Sequence, residues 1–349
     1  MELLRIVAML MILLLHINFG ATGRPSPEAC HAAPPGVWMR YFFQSLAEPA
    51  VNVFVMISGW FGIRFRYSRL AGLLFQCVFI GGLIWLAALV TGFADPWGVK
   101  HIVSVVLFTT NVWFVKSYII LYLLAPVLNA FVDRAGRGAS GVLVMLFMAC
   151  AVVYGWTDAA PEFMMGYSAL SFVMLYLLAR FLKIHCSEPL SRRTSGQWLT
   201  VFLAAVTVNS VLSFAVTYTA APAMADSMLH AYLNPLNILA AVALICAFSR
   251  FRFQNRFINW TARSCLAVFL FHKGTLIGPL YGAAGWRFFT QFSGPVYALV
   301  CLGFMLLVFA ASVLVDQLRL AAWKPLEQRF ITWENGWPDL NLSRPEPRS

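Results

Sequence analysis

The sequence predicts an all-α integral membrane protein, a bundle of about ten transmembrane helices with both termini in the cytoplasm. Three observations carry that expectation. Hydrophobic residues fill 60% of the 349 positions and charged residues only 11%, where soluble domains run at roughly 45–50% and 25%. Mean hydropathy is +0.75, which leaves too few polar side chains to coat a water-soluble globule. Ten apolar stretches approach the length of about 20 residues that a helix needs to cross the hydrocarbon.

In chain order the stretches cover residues 3–19, 47–62, 70–90, 112–132, 141–156, 164–182, 198–218, 233–248, 264–281 and 295–314. The second, fifth and eighth are short. Helix is the form expected of each, because an open backbone in lipid has no other way to pair its polar groups. A further apolar piece, 102–110, is too short to cross and is expected to be re-entrant or interfacial. Residues 1–23 look like a secretory signal in their apolar core and in Ala21-Thr22-Gly23. Against that, Glu2 and a single early cation replace the basic leader of a signal peptide. The segment is therefore read as the first span.

The net charge of +11 reads first as topology. One set of alternate connections carries Arg64, Arg66 and Arg69, then Arg134 and Arg137, then Arg180, Lys183, Arg192 and Arg193, then Arg250, Arg252, Arg256 and Arg263. Arg319, Lys324, Arg329, Arg344 and Arg348 follow the last span, whereas the opposite loops hold Arg24, Arg40, Lys100 and Arg287. Cations accumulate on the cytoplasmic side, so both termini are expected there. Nucleic acid is not an expected partner, since the basic patches are short and fixed at a membrane face; membrane lipids are. Residues 1–330 read as a single transmembrane domain and 331–349, with Pro338, Pro345 and Pro347, as a disordered cytoplasmic tail. The seven cysteines show no CxxC or Cys/His ligand spacing, so no metal site and no disulfide framework are expected. Small apolar fillers are the default reading of membrane cysteines.

Ionisable groups at membrane depth are costly, which makes each a functional candidate. Five stand out: Arg5, His16, Lys116, His272 and Lys273. All are cationic or imidazole. Glu48 and Asp316 sit at span ends, and no carboxylate falls mid-span. Such an interior suits an anionic ligand or an oxyanion formed during reaction, rather than the buried carboxylates of ion-coupled transport. Arg5 and His16 lie eleven positions apart, about three turns plus 20°, so they share one helix face about 16 Å apart along the axis. Arg64, Arg66 and Arg69 form a rim that could read phosphate through guanidinium forks; positive-inside bias alone also accounts for them.

Four segments carry a resemblance. Leu4-Arg5 through His16 is similar to the opening Arg-x10-His helix of the membrane acyltransferase-3 family, bacterial inner-membrane proteins that O-acylate surface and exported glycans. Val51-Asn52-Val53-Phe54-Val55-Met56-Ile57-Ser58-Gly59-Trp60 resembles that family's FFxISG helix. Trp113-Phe114 through Tyr118, Tyr122, Pro126 and Asn129 resembles its WFLxxYxxLYLxxP helix, and Ser264 through His272 its SxxIYLxH segment. Phe269 stands where Tyr is usual, and Lys273 is a departure. The likeness covers nearly the whole length.

The resemblance implies acetyl-CoA or another acyl-CoA as donor substrate, no permanently bound cofactor, and a carbohydrate hydroxyl as acceptor in a polysaccharide, lipopolysaccharide or lipid-linked glycan. It implies a multi-pass protein of the bacterial inner (plasma) membrane, and it carries Arg5 and His16 over as functional. On that reading His16 is the general base or a transient acyl carrier, and Arg5 holds donor phosphate or orients the site. Lys116 or His272 stabilises the thioester oxyanion, and the Arg64/Arg66/Arg69 rim takes the nucleotide end. The rival expectation is a transporter exporting a glycan precursor or organic anion without acyl transfer.

Overall fold

The computed structural model describes residues 1–92, 113–221, 227–251, 254–274 and 276–341. The expected short segment 102–110 and the cations Lys100, Arg252, Arg344 and Arg348 lie outside them. Among the described residues the chain is all helix, with no strand. The principal helices are α1 (Glu2–Ile17), α2 (Pro34–Ala47), α3 (Ala50–Phe61), α4 (Tyr67–Thr91), α5 (Trp113–Arg134) and α6 (Arg137–Cys150). They continue with α7 (Ala169–His185), α8 (Ser195–Tyr218), α9 (Pro235–Phe248), α10 (Arg256–Ala262), α11 (Cys265–Lys273), α12 (Ile277–Gln291) and α13 (Gly294–Glu334).

Among the described residues, six helical runs are long and apolar enough to cross a membrane: Glu2–Thr22, Tyr67–Thr91, Trp113–Arg134, Arg137–Thr157, Ser195–Tyr218 and Gly294–Glu334. The pair Arg256–Lys273 and Ile277–Gln291, bent by 80°, makes up to seven if it counts as one span. The remaining predicted spans correspond to shorter helices: α3 with 12 residues, α7 with 17 and α9 with 14. Local signals set several starts. Thr194 and Gln197 form a reciprocal capping box ahead of α8, which satisfies two otherwise orphaned N–H groups. Asn234 accepts from Leu236 N–H and Pro235 occupies the first helical position of α9, where its missing N–H costs nothing. Apolar side chains face outward along the long helices, including Leu299, Leu306, Leu307 and Leu314 on α13 and Val142, Met145 and Leu146 on α6. A bundle whose exterior is leucine suits lipid as its solvent.

The first helix sits in the middle. It packs against α2, α3, α10, α11, α12 and α13, with Leu4, Ala8, Met9, Met11, Ile12, Leu13 and Ile17 buried. Close approach of α3 to α7 depends on Gly59, where a Cβ would lie 2.4 Å from the Tyr176 carbonyl oxygen and 3.0 Å from its Cα. Backbone cannot give way as a flexible side chain can. Gly59→Ala is therefore expected to destabilise the bundle by about 1–3 kcal/mol, read as a lower melting temperature in detergent; an unchanged melt would show that the two helices separate freely.

Three features depart from the sequence reading. Helix α2 lies between the first two predicted spans; its mixed composition, with Arg40, Gln44 and Ser45 among apolar residues, hid it from a hydropathy window. Helix α13 continues to Glu334, 41 residues in all, and residues to 341 pack back on the chain, where a tail disordered from 331 was expected. Its length is about 61 Å, twice the hydrocarbon thickness of about 30 Å. Finally, the interior is not free of carboxylates. Glu48 is 1% exposed and Asp316 0%. Asp316 is held by a two-pronged contact to Arg319 at 2.8 and 2.7 Å and by Gln76 at 3.2 Å. Glu48 faces His230 Nδ1 and accepts from Asn209 at 3.2 Å and Asn237 at 3.4 Å. Both acids are consumed by neighbours, as buried charges must be.

Candidate functional site

Position on α1 decides what His16 can meet. The helix is central, and its last turn lies beside α11, so His16 and His272 come together although 256 positions separate them. Nδ1 of His16 lies 2.9 Å from Nε2 of His272. On its other edge, Nδ1 of His272 lies 2.6 Å from the Val268 carbonyl oxygen. A carbonyl only accepts, so His272 Nδ1 carries the proton and, with the ring neutral, its Nε2 is an acceptor. His16 Nδ1 must then donate to it. That leaves Nε2 of His16 with a lone pair and no hydrogen bond among the described residues. The arrangement is an imidazole whose tautomer is set by a second group, which leaves one ring nitrogen able to accept a proton.

His272 is wholly buried behind His16, not on the wall of the cavity. Its geometry is that of a positioning residue; the oxyanion role expected of it does not fit a ring that the cavity does not reach. Val268 and Tyr281 pack it in place, the Tyr281 ring at 5.3 Å.

The cavity measures about 1030 Å3, and Arg5, His16, Lys116, Arg263 and Lys273 all line it. That volume is at the upper end for small-molecule sites. Among the described residues that line it none is acidic. Arg5 and Arg263 mark one end, beside α10 and the start of α11. His16, Lys116 and Lys273 mark the other, together with Trp113, Tyr167 and Tyr232. Met9, Ile12, Phe54, Leu266 and Phe269 form the apolar length between. Arg5 itself is bound by Glu2, one turn earlier, at 3.0 Å to each oxygen. Lys116 is solvent-exposed and Lys273 half-buried. Ser58 and Tyr118 meet across the wall at 3.2 Å, which gives the serine of the FFxISG-like segment and the tyrosine of the WFLxxY-like segment a shared place.

The Arg64/Arg66/Arg69 rim lies apart from the lining residues. Its loop is built by side chains from three helices. Tyr122 Oη accepts from Arg66 N–H at 3.0 Å and donates to the Arg66 carbonyl at 3.2 Å. Asn129 donates to the Ile63 carbonyl at 2.8 Å, and Tyr176 Oη accepts from Ile63 N–H at 2.9 Å. The C-terminal segment closes the ring: Asn341 accepts from Phe65 N–H and donates to its carbonyl, at 2.9 and 3.0 Å. Glu334 binds the Arg66 guanidinium at 2.6 and 3.0 Å and takes the Ser68 N–H at 2.8 Å. Arg66 is thus already neutralised, while Arg64 and Arg69 stay exposed.

Sequence reasoning singled out His16, Arg5, Lys116 and Lys273, and the cavity gathers all four. It missed Arg263, read only as a topology cation, and the aromatic end formed by Trp113, Tyr167 and Tyr232. Their signal is tertiary: three elements distant in sequence deliver them.

Neither a curated protein nor a solved structure matches the chain. A family model described as an acyltransferase domain, Acyl_transf_3, matches residues 1–315, all of α1 to α12 and the membrane part of α13, and the chain belongs to that family of membrane acyltransferases.

Proposed function

We propose that this acyltransferase moves an acyl group, acetyl in the first instance, from acyl-CoA held from the cytoplasmic side to a hydroxyl of an exported or cell-surface carbohydrate, in the inner membrane of a bacterium. The observation that carries the reading is the lone pair on His16 Nε2, fixed by His272, in a long cavity whose described lining bears cations and no acids. Acyl-CoA is polyanionic at one end and carries its thioester on a long arm. Arg263 and Arg5 suit the phosphates, and the apolar stretch past Met9 and Ile12 suits the arm. The positive-inside bias puts the Arg5 end in the cytoplasm, with ten crossings once the short helices α3, α7 and α9 and the bent pair are counted.

In the proposed step His16 Nε2 takes the proton of the sugar hydroxyl as its oxygen attacks the thioester carbonyl carbon. Lys273 and Lys116 offset the negative charge that develops on the carbonyl oxygen. The C–S bond then breaks, and the sulfur leaves with the proton returned from the imidazolium, giving an ester and free CoA thiol. The Arg64/Arg66/Arg69 rim is the sequence's weaker candidate for the nucleotide end; Arg263, which lines the cavity, suits that place better, with Arg64 and Arg69 at the surface.

The test is thiol release from acetyl-CoA by the detergent-purified protein, with and without envelope glycan. Release is expected from the wild type. Arg5→Ala is expected to raise the donor KM by about tenfold, the cost of one charge-assisted phosphate contact of about 1.5 kcal/mol. No release under any condition would overturn the reading and favour passage of an anion through the cavity instead.

A further inference from the structure

The end of the cavity beyond His16 has a construction that donor binding does not explain. Trp113 opens α5, Tyr167 precedes α7, and Tyr232 lies in the turn before α9. Their ring centroids lie 4.6 Å apart for Trp113 and Tyr167, 4.7 Å for Tyr167 and Tyr232, and 5.9 Å for Trp113 and Tyr232, the last pair within 24° of parallel. All three line the cavity that His16 lines. Tyr167 is 39% exposed, too open for a core ring. Asn52 on α3 donates to the Tyr232 carbonyl at 2.8 Å and holds the far side of the cluster.

A second, independent observation lies in the backbone that delivers Tyr167. Met164 and Met165 have φ of 47° and 54°, and Gly166 follows at 109°. Side-chain-bearing residues rarely accept the left-handed region, and two in succession persist only where the surroundings over-determine them. Here Leu233 N–H donates to the Met165 carbonyl at 3.3 Å, and Ser171 Oγ donates to the Phe163 carbonyl at 2.9 Å. Gly166 has no room for a side chain, since a Cβ would fall 2.5 Å from that of Tyr232. The loop is bent against Tyr232 at a cost, and the result is to aim Met164, Tyr167 and Ser168 into the cavity.

We infer that Tyr167 and Trp113, backed by the buried ring of Tyr232, form the acceptor subsite, a shelf on which a pyranose ring of the glycan stacks with its hydroxyl turned to His16 Nε2. The inference rests on the acyl-transfer reading and adds to it where and how the acceptor sits. A pyranose has a C–H face that is apolar and a rim of hydroxyls. Amphipathic rings such as Tyr and Trp suit that combination, offering a flat apolar surface with a polar edge. Ser168 and the exposed ammonium of Lys116, one turn from Trp113, supply polar groups at the same end. Lys116 and Lys273 line the cavity at this end, while Arg24 lies near Tyr167 and the buried carboxylate of Glu48 lies behind Tyr167 and Tyr232. Stacking also orients: a ring pinned by its face presents its rim at a fixed height above the base.

The test measures donor and acceptor KM separately, using de-O-acylated oligosaccharides released by mild acid from the source cell's envelope glycan. Tyr167→Ala is expected to raise the oligosaccharide KM about tenfold, the equivalent of about 1.4 kcal/mol. Its acetyl-CoA KM is expected to stay near the wild-type value, so that the shift falls on the acceptor. Tyr167→Phe, which keeps the ring, is expected to bind acceptor nearly as the wild type does. If Tyr167→Ala does not accumulate, Tyr167→Leu keeps apolar volume without the flat face and is expected to show the same shift. An acetyl-CoA KM that rises in step with the acceptor's would assign the shelf to the acyl chain and overturn the inference. So would an unchanged acceptor KM in an enzyme that still releases thiol. A wild type that never releases thiol overturns the acyl-transfer reading and the shelf together.

Discussion

Acyl transfer is expected to fall by about 10²–10⁴ when His16 is replaced by alanine, the range general-base assistance supplies, with the protein still inserted and folded. His272 separates a relay from a lone base. Its Nε2 accepts from His16 Nδ1, so His272→Ala removes the acceptor that sets the tautomer, and kcat is expected to drop while both KM values stay near wild type. A glutamine at 272 places an oxygen acceptor near the same point, and His272→Gln is expected to recover a large part of the loss. A merely structural His272 would show a different pattern, with the melting temperature falling, KM rising and no benefit from glutamine. Near-normal transfer by His16→Ala would end the assignment.

The second large effect is on stability. Glu48 is the acceptor for His230 and the amides of Asn209 and Asn237, and its neighbour Asn234 donates to Asn209 at 2.8 Å. The group ties the end of α2 to α8, to the turn before α9 and to α9 itself. Glu48→Ala removes the buried carboxylate shared by His230 and the two amides, and hydrogen bonds to a charged group are worth about 1.5–3 kcal/mol each. The expected outcome is a sharply lower melting temperature in detergent, with Glu48→Gln intermediate because it keeps one oxygen. His16→Ala in the same assay is expected to melt as the wild type does. Equal melting of Glu48→Ala and wild type would mean that the network contributes nothing to holding these helices together.

The sequence made the lipid-facing character legible, because composition and long apolar runs are properties of single segments. The Arg5–His16 face was equally readable, since helical periodicity alone relates two residues on one helix. What it could not provide was partnership. Glu48 read as a span-end acid because the predicted second span begins at residue 47, and only tertiary packing reveals that two amides and an imidazole bind it. His272 was visible as a mid-helix imidazole, yet its role turns on which nitrogen meets Val268. Arg66 read as a free rim cation because Glu334, which neutralises it, lies 268 positions away. The aromatic shelf had no local signature, since Trp, Tyr and Tyr arrive from three separate elements and from a loop whose backbone is strained.

The span between the two imidazoles also imposes a schedule on the making of the protein. His16 enters the membrane with the first helix, while His272 is added 256 residues later, about 13–50 seconds at synthesis rates of about 5–20 residues per second. Until α11 arrives, the imidazole of His16 has no partner to choose its tautomer and no finished cavity around it. A nascent or prematurely terminated chain therefore lacks both the paired imidazoles and the finished cavity, which come together only when nearly the whole translation product is in place.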